Sequence, residues 1–79
     1  MSVAALKLRR VGSVDAAAFL KWSIGEDLRK AREGRGLTQA EVARRARMRR
    51  EVLSRLEAGR GNPTVRTVQR VLRAMGYRA

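Results

Sequence analysis

The sequence predicts an all-α domain of four to five short helices behind a short N-terminal extension, and three observations carry that prediction. Apolar residues recur at helical spacing from Ile24 to Met75. Residues that cap helix starts, Ser13, Ser23 and Thr38, stand immediately before three of the periodic runs. Glycines follow them, with Gly34 and Gly36, then Gly59, then Gly76 as stop signals.

Residues 1–12 carry Val3, Leu6, Leu8 and Val11 among three basic residues, and the Leu-Lys-Leu alternation suits a short strand or an extended arm. Ser13 is the expected N-cap of a short helix over VDAAAFLKW, with Asp15 in its first turn. That stretch holds Phe19 and Trp22, which are expected to pack against the helix that follows or else to meet a partner. Ser23, with Glu26 three positions later, reads as a second start signal for a helix over about 24–33, with Ile24, Leu28 and Ala31 inward. Thr38 and Glu41 form a capping box for the next helix, which turns Leu37, Ala40, Val42, Ala43 and Ala46 inward and Gln39, Glu41, Arg44 and Arg45 outward. A third pattern over about 49–58 places Val52, Leu53 and Leu56 on one side and Arg50, Glu51, Ser54, Arg55 and Ala58 on the other. GRGNPT is a loop, in which Gly61, Asn62 and Pro63 supply turn chemistry. The last helix, about 64–74, buries Val65, Val68, Val71 or Leu72, and Met75. The expected division is an extension over residues 1–23 and one domain over 24–79.

Seventy-nine residues allow one small core, and dimerisation would help to stabilise it. With no cysteine and no histidine, disulfides, thiolate metal sites and the commonest general base are missing. Ser54 and Thr38 have no histidine to activate them, and Glu26, Asp27 and Glu33 read as helix-surface charges, so no enzyme and no cofactor are expected. Lys and Arg number 19 against 7 acidic residues, a formal charge of +12, and 16 of the 19 are arginine. Such a field favours a polyanion, and the arginine fork suits phosphate and guanine edges better than lysine does. A composition bias towards arginine is the plainer explanation, but it leaves the concentration between Arg44 and Arg60 without a purpose. No run reaches the roughly 18 to 20 apolar residues of a membrane span, and the N-terminus lacks an uninterrupted signal-peptide core, so a cytoplasmic, nucleoid-associated protein is expected.

Residues 24–76 resemble the Cro/CI-type helix-turn-helix family, also called the XRE family. The resemblance rests on Leu28, Ala31 and Arg32, then Gly36-Leu37-Thr38-Gln39 with Ala43, then Leu53, Leu56, Glu57 and Gly59, then Asn62-Pro63-Thr64 and Ala74-Met75-Gly76. It implies a compact lambda-repressor-like domain that binds double-stranded DNA as a homodimer on a palindromic operator and represses transcription. Carried over residue by residue, Thr38 and Gln39 stand at the phosphate-proximal start of the second helix, and Arg49, Arg50, Ser54 and Arg55 occupy the reading positions, with Glu51 among them. Arg60 and Asn62 match backbone contacts after the recognition helix, whereas Arg32 and Glu57 match an internal salt bridge. The sequence departs from the family at Arg47, where the turn commonly carries glycine, and at Ala58, where many members carry a phosphate-reaching polar residue. The fifth helix of the longer phage repressors has no counterpart, which makes the N-terminal extension the expected replacement dimer surface.

Two other readings stay open at this level. The alternative reading of the resemblance is an antitoxin, HipB-like in organisation, that binds DNA and also inhibits a toxin protein through Phe19, Leu20 and Trp22. RNA binding is less expected, since there is no array of surface aromatics on which bases would stack.

Overall fold

The computed structural model describes residues 15–78, which form four helices: α1, Ala16–Gly34; α2, Gln39–Arg45; α3, Arg50–Glu57; and α4, Val65–Ala74. The expected all-α class is met, with no strand among the described residues. The strand or arm expected in residues 1–12, and the cap expected at Ser13, lie outside them.

The two helices expected on either side of Ser23 are one. α1 runs unbroken for 19 residues from an N-cap at Asp15, whose carboxylate accepts from the Ala17 N–H at 3.0 Å. Ser23 therefore sits in mid-helix, and the helix crosses the expected boundary between residues 23 and 24. The Ser-x-x-Glu pattern loses because Ala16, Ala17, Ala18, Leu20 and Lys21 are good helix formers. Extending a formed helix is favourable, whereas starting a new one is costly.

Thr38 behaves as expected: its Oγ accepts from the Glu41 N–H at 3.1 Å and lies 3.1 Å from the Glu41 carboxylate. Thr64 caps α4 in the same way, accepting from Thr67 N–H at 3.1 Å.

Leu28 of α1, Val42 and Ala43 of α2, Leu53 and Leu56 of α3, Val71 of α4 and Met75 after it form the core. Ile24, Ala31, Leu37, Met48, Val68 and Leu72 pack around them. Three expected core residues are not in it: Ala40, in the first turn of α2, is exposed, and so are Val65 and Val52. Val65, the first residue of α4, is 76% exposed. Val52 is 43% exposed, because at 100° per residue it lies more than a quarter-turn from Leu53 on the flank of the buried face. The aromatics do not enter the core either: Phe19 is half-buried, Trp22 is 41% exposed, and their rings meet at 6.2 Å on α1 itself.

α1 crosses α3 at Gly25, where an added Cβ would overlap the Leu56 carbonyl oxygen and stand 2.8 Å from that of Glu57. Only a residue without a side chain allows the two backbones this approach. Each helix then ends in the same two-bond motif, in which the second and third residues past the helix reach back to carbonyls of its last turn. In α2 the pair is Arg47 N–H to Arg44 O at 3.1 Å and Met48 N–H to Ala43 O at 3.0 Å.

Candidate nucleic-acid interface

Glu57 organises the site from below. It is buried, and its carboxylate accepts from Arg32 Nε at 2.7 Å, from Arg32 Nη2 at 2.9 Å and from Gln39 Nε2 at 3.1 Å. Arg32 Nη1 donates to the Leu37 carbonyl at 2.8 Å, so one charged network ties α1, the start of α2 and the end of α3 together. The hydrogen bond that Arg32 donates to Glu57 raises the Arg32 pKa above its ordinary value, against the opposing effect of burial. The salt bridge implied by the resemblance is thus present at Arg32 and Glu57. Gln39, by contrast, is not simply free for phosphate, since one of its amide hydrogens is committed to Glu57.

Above this network, Gln39, Arg50, Glu51, Ser54 and Arg55 line one shallow surface groove. Burial of Leu53, Leu56 and Glu57 on one side of α3 forces Glu51, Ser54 and Arg55 to the other. A second groove shares Arg55 and continues through Val52, Arg60, Gly61, Asn62 and Thr67. Seven of the nine expected contact residues therefore line two adjoining depressions. Of the other two, Arg49 is exposed as the N-cap of α3, without a side-chain cap bond, and Thr38 has its hydroxyl engaged in capping α2. Glu51 is the one carboxylate lining either groove.

Sequence reasoning missed Val52 and Thr67. The angular position of Val52 on the helical wheel was available as a signal, but Thr67 joins the groove only through the path of the loop before α4. It also missed Arg70, whose Nη2 donates to the carbonyls of Ala46 and Arg47 at 2.5 and 3.0 Å.

The surface carboxylates behave as helix-face charges, Glu26 and Glu33 both pairing with Arg29. Among the described residues no cluster of carboxylates, cysteines or histidines is arranged to hold a metal ion, and no helix is long and apolar enough to cross a membrane.

A family model described as helix-turn-helix matches residues 28–79. The chain is 42% identical over 53 residues to an uncharacterized HTH-type transcriptional regulator, y4dJ, of Sinorhizobium fredii (strain NBRC 101917 / NGR234), covering 67% of this chain and 69% of that protein. No solved structure matches the chain.

Proposed function

This chain belongs to the helix-turn-helix family, and on that premise we propose that it is a transcriptional regulator that reads double-stranded DNA with α3 and represses as a dimer on a palindromic operator. The observation that carries the reading is the groove lined by Gln39, Arg50, Glu51, Ser54 and Arg55, directly above the Glu57 network that fixes α2 against α3.

Arg50 and Arg55 stand about 7.5 Å apart along the helix axis, roughly two base-pair steps. Each guanidinium can donate to both O6 and N7 of a guanine, Glu51 can accept from a cytosine amino group, and exposed Val52 suits a thymine methyl. The remaining amide hydrogen of Gln39, together with Arg60 and Asn62 in the following loop, supplies donors for phosphates on either side of the groove. Two copies would set their α3 helices in successive major grooves about 34 Å apart, where they compete with polymerase at a promoter.

The test is selection of duplexes from a random pool, followed by affinity measurements on the enriched sequence and a scrambled one. R50A or R55A should lose about 1–3 kcal/mol on the enriched duplex and relax the preference, while R60A weakens both duplexes alike. Failure of the wild-type chain to enrich any consensus overturns the reading.

One observation favours a second activity alongside DNA binding. Leu20 and Trp22 are 57% and 41% exposed on the N-terminal half of α1 and line neither groove, which suits an apolar contact with a protein such as a toxin. Co-expression with the product of the adjacent reading frame tests it: L20A should abolish co-purification, and a neighbour that never co-purifies with the wild-type chain removes the antitoxin reading.

A further inference from the structure

The four helices end in the same hydrogen-bond motif, yet the residue that must take the left-handed conformation is glycine in three of them and Arg47 in the fourth. Gly36, Gly59 and Gly76 have φ of 68°, 77° and 98°, whereas Arg47 has φ of 56°, the one positive value at a non-glycine among the described residues. A side chain at such a backbone angle crowds its own carbonyl, so this turn is the strained one of the four. It is also the turn between α2 and α3, the joint that sets how α3 leaves the domain.

It is held from outside. Arg70, on the exposed side of α4, donates from Nη2 to both the Ala46 and Arg47 carbonyls. Arg45, Arg47 and Arg73 line the same cleft, so Arg70 stays in a field of like charge. The two carbonyls, at the negative end of α2, offset that repulsion.

We propose that Arg70 is a positioning residue: by bridging α4 to the strained Arg47 turn it fixes the α2–α3 angle, and with it the presentation of Arg50 and Arg55 to the bases. The inference rests on the reading of α3 as the DNA-contacting helix. The clamp itself makes no contact with the reading grooves, whose linings do not include Arg70.

The test compares full-length wild type, R70A, R47G, the R47G/R70A double variant and R73A on a duplex enriched by the wild type and on its scrambled counterpart. R70A should lower the preference for the enriched duplex about tenfold, the loss expected when a charged hydrogen-bond donor is removed. Glycine adopts the turn without strain, so R47G/R70A should return to within about twofold of R47G alone. R73A removes a charge from the same cleft and should leave the preference unchanged. Equal losses by R70A on both duplexes would instead mark Arg70 as a phosphate contact and overturn the proposal, as would failure of R47G to rescue. R70M, which keeps a long side chain but no donor, replaces R70A if the latter does not fold. Amide exchange separates this inference from the reading beneath it: R70A should accelerate exchange at Met48 N–H in the free protein and R47G should restore it. Enrichment of no duplex by the wild type defeats the DNA reading, whereas unchanged exchange defeats the clamp.

Discussion

Glu57 shows what a single residue decides in this chain. Its side chain is 3% exposed and that of Arg32 12%, so removing the carboxylate leaves a guanidinium stranded at the joint of three helices. E57A should destabilise the fold by about 3 kcal/mol, read as a lowered urea midpoint. The raised Arg32 pKa sets the sign of the pH dependence. A cation whose folded pKa lies above its unfolded value contributes stability that is present below the unfolded pKa and lost only as pH rises through the folded one. For arginine that window lies above about pH 12, so alkaline titration short of it should leave this contribution intact. Arg32 and Glu57 were legible in the sequence because the family pattern pairs them. Arg70 was not, because its partners are backbone carbonyls 23 and 24 residues earlier, and a carbonyl has no identity for a sequence to display.

At the scale of the element, the helices were legible wherever an apolar stripe coincided with a working cap, as at Thr38. The pattern misled at Ser23, where the same Ser-x-x-Glu spelling lies within a longer run of helix formers. The two sites should separate on substitution. T38A loses the bond to Glu41 N–H and should cost about 1 kcal/mol, while S23A removes no cap and should stay within about 0.5 kcal/mol of wild type in chemical denaturation. Gly25 was equally hidden, since it is an unfavourable residue in the middle of a helix until the crossing of α3 is known. G25A forces the Leu56 and Glu57 carbonyls away from α1 and should destabilise by about 1–3 kcal/mol, despite alanine being the better helix former. Because those carbonyls belong to the last turn of α3, the same substitution should also disturb the Glu57 network and broaden the amide resonance of Gln39.

For the whole molecule, the charge of +12 and the all-α class were plain from composition and periodicity alone. The division of the arginines was not. Structure sets Arg50, Arg55 and Arg60 along the two grooves, Arg32 inside the Glu57 network and Arg70 against the α2–α3 turn. On the proposed reading, residues of one type divide into reading, bracing and clamping roles, which composition cannot distinguish. An electrostatic partner of this kind carries a salt signature: if about six phosphates are neutralised per chain, log K should fall with log salt at a slope near −5, less steeply by about one unit for R60A. The measurement that tests the account most directly is the ratio of affinities for an enriched and a scrambled duplex, taken for wild type and R55A at one salt concentration. R55A should lower this ratio by about tenfold or more, since the contact it would lose is to a base edge. A ratio unchanged by R55A, with both affinities reduced in parallel, would contradict the assignment of α3 as the helix that reads sequence.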